Sequence, residues 1–309
     1  MQSPVQYHGE DLQTSSSTPS NPASPHLWFF SLCILALLLA CIPLTEVARL
    51  ALQDERYTPI LAVPIITIGL IWLDRAAIFR ESHLCLRAGL PLLFGGLVLL
   101  ALSTTTSLLP YPLSAAVFAV VLIWVGGFVA CYGTDAAKRA LFPLLFLLLT
   151  IPIPSGLLDK AVTSLQTGSA DVAYRLFKLI GVPIVRENTF TFSLPGLTIE
   201  VAEECSGIRS CLALLITGAV IGYLFLRSTW GRIALILLTI PIAIFKNAVR
   251  IVTISWLGIY VDSGFLHGNL HRYGGLPFSI LALTMLIPFL FLLHTAERGS
   301  AKRGAPRCE

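Results

Sequence analysis

Three residue types in this chain have the chemistry of thiol-based acyl transfer. Cys205 lies in the run Glu203-Glu204-Cys205-Ser206-Gly207-Ile208-Arg209, Arg250 follows Lys246 and Asn247, and a histidine stands at 267 and again at 271. A cysteine is only slightly ionised at neutral pH, so a neighbouring cation is needed to favour the reactive thiolate. A helix opening at about Ser206 or Ile208 would add its N-terminal dipole. When a thiolate attacks a peptide carbonyl, negative charge develops on oxygen, and a guanidinium can hold it there. An imidazole can protonate the leaving amine and then activate the incoming nucleophile.

The residues alone leave the assignments open. Arg209 stands four positions after Cys205 and competes with Arg250 for the oxyanion if the helix has already begun; equally, it pairs with Glu204 as a structural clamp or stays in the head-group zone. His267 and His271 are one helical turn apart, and both can face the cysteine. Glu204 and Asn247 are further polar candidates. Each type also has an ordinary use: a lone cysteine as a small apolar filler, an arginine that snorkels from a helix end, a histidine in a polar loop.

The elements that must carry these groups are membrane helices. At 309 residues, 55% hydrophobic and 12% charged, with a mean hydropathy of +0.80, the chain is too apolar for a soluble domain. The net charge of +4 does not form a nucleic-acid stripe, because the basic residues are scattered between apolar runs. The lipid bilayer is the implied partner and nucleic acid is not. Among the seven cysteines there is no paired CxxC spacing; Cys33, Cys41, Cys131 and Cys211 fall within or at the ends of apolar runs as fillers, and Cys308 is incidental.

The reading is an all-α, polytopic membrane bundle of about eight spans, at 27–46, 57–73, 88–106, 112–132, 139–156, 208–226, 231–250 and 276–294. Residues 1–26 are Ser/Pro-rich and read as a disordered cytoplasmic tail, 27–296 as the transmembrane domain and 297–309 as a second cytoplasmic tail. Arginines and lysines concentrate in alternate connections: Arg75, Arg80 and Arg87; Lys138 and Arg139; Arg227 and Arg232; then Arg298 to Arg307. By the positive-inside rule that side and both ends of the chain are cytoplasmic, and the Cys205 connection is extracytoplasmic.

The connection at about 157–207 carries an internal pattern. Val162, Leu165, Val172, Leu176, Phe177 and Ile180 recur at helical spacing opposite Lys160, Gln166, Asp171, Arg175 and Lys178, which predicts an amphipathic surface helix stopped by Gly181 and Pro183. Phe190, Phe192 and Leu194, then Leu197, Ile199 and Val201, alternate about Pro195-Gly196 as a hairpin. From Arg232, Arg250 sits about 27 Å up the next helix, near the outer boundary, so 251–261 is expected to bend, re-enter or lie along the surface.

With these residues in place, the chain resembles the exosortase and archaeosortase family of membrane transpeptidases over roughly 28–294. Ala202-Glu203-Glu204-Cys205-Ser206-Gly207-Ile208-Arg209-Ser210 resembles its nucleophile motif, Asn247-Ala248-Val249-Arg250 its arginine motif, and His271-Arg272-Tyr273-Gly274-Gly275-Leu276-Pro277-Phe278 its histidine motif. The resemblance implies Cys205 as nucleophile, His271 as acid/base and Arg250 as the oxyanion or orienting group. It also implies substrates: exported proteins with a C-terminal Pro-Glu-Pro-like signal, a transmembrane helix and a basic tail, in bacteria that make exopolysaccharide. The acceptor is not specified, lipid- or polysaccharide-linked groups being candidates.

No cofactor is implied. His267 and His271 have i,i+4 ligand spacing, but the intervening sequence is not HExxH, and no metal is expected. A transporter, marked by Lys246, Asn247 and Arg250 within an apolar run, and a structural subunit of a polysaccharide-export system are the competing readings. No inverted repeat supports the transporter, and indifference to Cys205→Ala would mark the structural subunit.

Overall fold

In lipid, a backbone finds hydrogen-bonding partners only within itself, so long apolar runs fold as helices. The computed structural model describes residues 24–105, 109–201, 207–262, 264 and 275–303. In chain order its helices are α1 (Ser24–Leu39), α2 (Cys41–Gln53), α3 (Ala62–Leu73), α4 (Arg75–Ile78), α5 (Leu86–Thr105), α6 (Pro112–Arg139), α7 (Leu141–Phe146), α8 (Ser155–Leu179), α9 (Ile208–Phe225), α10 (Thr229–Tyr260) and α11 (Gly275–Arg303). The protein is a helical, multi-pass membrane bundle with, among the described residues, one small sheet between α8 and α9.

Five of these helices, α5, α6, α9, α10 and α11, are individually long and apolar enough to cross a bilayer. The eight expected segments are not eight full-length helices. The first is bent by 73° between α1 and α2. Pro43, in the first turn of α2, has no N–H to give, and its ring crowds the carbonyl four residues earlier, so the helix breaks at Ala40. The helix also starts at Ser24, inside the expected disordered tail, because the His26 ring bonds the Tyr132 hydroxyl at 2.9 Å and sits edge-on to Phe79. The second expected span is short, a 3-10 turn (Thr58–Leu61) running into α3.

The fifth expected span is the largest departure. After α7 and a 3-10 turn (Leu147–Thr150), the chain bends by 94° into α8. Ten helical residues cover roughly 15 to 18 Å, about half a bilayer. Pro152 and Pro154 hold 151–154 out of helix, and four extended residues add up to about 13 Å. The traverse is completed in that form: the Ser114 hydroxyl, at the far end of α6, donates to the Pro152 carbonyl at 2.8 Å, and the Tyr57 hydroxyl donates to the Ile153 carbonyl at 3.0 Å.

Side-chain contacts sort the connections into two ends. At one end Arg139 meets Glu81 at 3.1 Å, Tyr223 bonds Asp74, and Glu297 accepts from the backbone of Arg227 and Ser228. The arginine-rich connections at 75–87, 138–139 and 227–232 gather here, with the described end of α11 beside them. At the opposite end Arg209 meets Glu55 and Arg56 meets Asp159. The start of α9 belongs to this second end.

A small unit built on α8 caps that end. Helix α8 buries Val162, Leu165 and Phe177 and exposes Lys160, Arg175 and Lys178, as the amphipathic pattern predicts; it also buries Leu158, Ala170 and Ala173, while Ile180, expected on the apolar face, is exposed just past its end. Gln166, expected on the polar face, is instead buried, its amide donating to the Val201 carbonyl. Gly181 ends the helix at φ +78°. The expected hairpin forms between β2 (Thr191–Leu194) and β3 (Leu197–Glu200), with Phe192 opposite Ile199 and Leu194 opposite Leu197. Proline cannot take positive φ, so in the Pro195-Gly196 turn that conformation falls on Gly196, at +75°. A strand the alternation did not predict, β1 (Val185–Arg186), pairs with the outside of β2. Arg186 bonds Asp171 of α8 at 2.7 Å and tethers that edge.

Contrary to the expected bend after Arg250, α10 runs on as one helix of 32 residues, about 48 Å against a hydrocarbon thickness of about 30 Å. The surplus turns do not need to fold back, because a protein surface covers them. Ile251, Val252 and Ile259 pack against Phe177, Val182, Leu194 and Ile199, and Ile251 also reaches the cluster of Ala170, Phe192 and Val201.

Candidate functional site

Gly207 is the hinge between the sheet and α9. It takes φ +75° and ψ 15°, a left-handed conformation that costs an L side chain about 1–2 kcal/mol, and α9 begins at the next residue. The position is also closed by α10. A Cβ on Gly207 would lie 3.1 Å from Cγ and 3.2 Å from Oδ1 of Asn247, whose side chain is itself buried.

A short relay fastens the same point from below. The Gly207 carbonyl accepts from the Cys211 N–H at 2.8 Å and from the Ser210 hydroxyl at 2.9 Å. Ser210 Oγ in turn accepts from Lys246 Nζ at 2.5 Å. Lys246 is only 2% exposed. Two successive residues of α10, Lys246 and Asn247, thus grip the first turn of α9. Arg250, half-buried, stands one turn further along α10 on the same face, three and four positions from them.

Below this junction α9, α10 and α11 enclose a cleft of about 130 Å³. Ser210, Lys246 and Ser279 are at its polar end, and Ala213, Leu214, Ala243, Ala282 and Leu283 form apolar walls. Thr217, seven residues below Ser210, puts the floor about 10 Å deeper along α9.

Arg209 is not part of this convergence. Its guanidinium turns outward to Glu55 at 2.7 Å, with both side chains more than half exposed; Glu204, the other partner considered for it, lies outside the described residues. Nearby, Arg56 bridges Asp54 at 2.8 Å and Asp159 at 3.4 Å. The hydrogen bond from Arg56 holds the Asp54 carboxyl below its ordinary pKa.

Among the candidates read from the sequence, Arg250 and Asn247 come to the entry of α9 and Arg209 faces away. Cys205, Glu204, His267 and His271 lie outside the described residues. The grip of Lys246 on Ser210 was not foreseen. Its signal was present as a charge inside an apolar run, but the serine partner lies 36 positions away.

A family model described as a transmembrane exosortase matches residues 51–288. No curated protein matches, and no solved structure matches.

Proposed function

The chain belongs to the transmembrane exosortase family, and from that membership and the α9–α10 junction we propose a membrane-embedded cysteine transpeptidase with Cys205 as nucleophile. The observation that carries the reading is the interlock of Asn247 and Lys246 with Gly207 and Ser210, which brings the Arg250 turn of α10 to the entry of α9. Cys205 is two residues before Gly207, so covalent geometry holds its Cα within about 7 Å of the Gly207 Cα. Arg250 is three residues after Asn247, about 5 Å along the same helix face. These two bounds support a thiol and a guanidinium serving one carbonyl.

In the proposed cycle the Cys205 thiolate adds to the scissile peptide carbonyl, and Arg250 binds the oxyanion. His271 protonates the leaving amine as the C–N bond breaks, which leaves a thioester on Cys205 and frees the C-terminal tail. The same imidazole then takes the proton of the acceptor, whose attack releases the thiolate and forms the new acyl bond. The spacing of His271 to Gly275 and Phe278 selects it over His267. The substrates are exported proteins with a short C-terminal signal, a transmembrane helix and a basic tail, and the acceptor is lipid- or polysaccharide-linked.

The domain reading is a catalytic membrane domain over 27–296, with the insertion at about 157–207, between cytoplasmic tails at 1–26 and 297–309. The charge pattern supports an inner-membrane orientation with the arginine-rich end in the cytoplasm and the α9 entry outside. The test is coexpression of a tailed candidate substrate with the native enzyme and with Cys205→Ala. Mass spectrometry should find processing and a Cys205-linked acyl adduct with the native enzyme alone; processing that continues in the variant defeats the reading.

A further inference from the structure

We infer that the outer edge of β3 is a peptide-docking strand: an extended segment of the substrate adds to the sheet as its fourth strand and descends along β3 toward the entry of α9. The inference rests on the transpeptidase reading proposed above and adds to it the place where the substrate backbone is held. The order β1-β2-β3 leaves two edges, and they are built differently. The β1 edge is closed: the strand has two residues, and the Arg186 guanidinium bonds Asp171 and the carbonyls of Asn188 and Thr189. Short length and a charged side chain are ordinary ways of blunting an edge against further pairing. β3 is four residues long, Leu197–Glu200, with no proline or lysine and a single charge at Glu200. In a two-residue hairpin the flanking pair, here Leu194 and Leu197, is hydrogen-bonded, and bonded pairs then recur at every second residue. The Val201 N–H donates to the Phe190 carbonyl at 2.8 Å in the same phase. Leu197, Ile199 and Val201 therefore turn their N–H groups to β2, and the N–H and C=O of Thr198 and Glu200 point to the opposite edge. Both residues are exposed, and among the described residues no backbone hydrogen bond reaches them from that side. Two donors and two acceptors on alternate residues are the pattern that an added strand completes.

The direction of the edge selects its occupant. Val201 packs with Ala170 and Phe192 beside Ile251, whereas Leu194, at the turn, packs with Phe177 and Val182 in the cluster that reaches Ile259. Ile259 lies eight residues, about 12 Å, beyond Ile251 on the part of α10 that continues past the bilayer. β3 therefore runs from the tip of the cap down toward the membrane, and Gln166 of α8 fixes its lower end by donating to the Val201 carbonyl. A protein exported to this side and held by a C-terminal transmembrane helix descends in the same sense, so it pairs with β3 in parallel. The edge accommodates about four residues of extended peptide, roughly 13 Å. Pairing of this kind gains its affinity from the main chain, so the edge holds a substrate without reading each side chain.

Amide hydrogen exchange reads the edge directly. Full-length Cys205→Ala protein in lipid nanodiscs is mixed with a synthetic peptide spanning the signal and transmembrane helix of a tailed candidate substrate, and exchange is resolved by residue with fragmentation mass spectrometry. The Thr198 and Glu200 amides are expected to exchange at least about tenfold more slowly with the peptide present, while those of Leu197 and Ile199, already bonded to β2, change less. In the chain with Cys205 intact, Thr198→Pro removes one outward N–H and sets its ring on the edge, a position a strand tolerates because β2 does not use it. It is expected to raise the KM for processing about 10- to 100-fold with kcat within about threefold of native. Glu200→Pro is the second variant should Thr198→Pro lower the thermal midpoint of the bundle. Unchanged exchange at both amides overturns the inference, as does a native KM in a proline variant of native thermal midpoint. Protection that arises without the peptide, and only in discs holding two copies, assigns the edge to a second copy of the chain and overturns it too. None of these results touches the nucleophile, which stands or falls on processing in Cys205→Ala. If that variant still processes, the KM of the proline variants continues to decide the edge.

Discussion

Replacing Gly207 with alanine applies a small, calculable stress at the point where the chain enters α9. Two costs combine. At φ +75° an L side chain pays about 1–2 kcal/mol for its left-handed backbone. The new methyl would also stand 3.1 Å from Asn247 Cγ and 3.2 Å from Oδ1, tighter than ordinary van der Waals contact. Asn247 is 1% exposed and has little room to yield, so overpacking adds about 1–2 kcal/mol. The total of about 2–4 kcal/mol corresponds to a roughly 30- to 1,000-fold loss of the native entry geometry. Processing of a tailed substrate should fall by that range at matched membrane abundance, while the thermal midpoint of the bundle changes little, because the stress is local. A double-mutant cycle with Asn247→Ala separates the two costs. The steric part should vanish in the double variant and the backbone part should remain, giving a coupling of about 1 kcal/mol or more. Gly207→Ala processing at half the native rate or better would refute the claim that this left-handed entry positions the site.

Two further expectations follow from the charges at the same end. Arg209→Ala breaks an exposed pair worth less than about 1 kcal/mol, so processing should stay within about fivefold of native, whereas Arg250→Ala should lose at least about a hundredfold in kcat. Equal losses in a side-by-side rate measurement would reverse the assignment of the two arginines. The Asp54 carboxyl is depressed by its hydrogen bond from Arg56, so the stabilisation it contributes is present above its unfolded pKa, near 4, and is lost as the pH falls through its lower folded value. Asp54→Asn should therefore lower the thermal midpoint slightly at pH 7 and by less at pH 3, where the contribution is already being lost; a shift of the same size at both pH values would contradict the ionic origin.

The parts of this protein legible from sequence are those in which a short stretch satisfies itself. Apolar runs had to become helices, because lipid supplies the backbone no hydrogen-bonding partner. The amphipathic stripe from Val162 to Phe177 and the alternation about Pro195-Gly196 likewise encode a local shape, and both formed with their stops at Gly181 and Gly196. The motif spacing identified the family, since motifs are themselves local strings. Wherever the outcome depended on what a segment met, tertiary structure decided it. Helix α10 continues unbroken past Arg250 because the sheet and α8 cover its surplus turns, and α7 stops halfway because the extended Pro-rich segment 151–154 completes the crossing. Arg209 turns to Glu55, 154 positions away, and Lys246 to Ser210, 36 positions away. Periodicity records which face of a segment is apolar but not which distant residue that face will meet. Pairing across the bundle is set by the packing of helices whose order in space no local pattern contains.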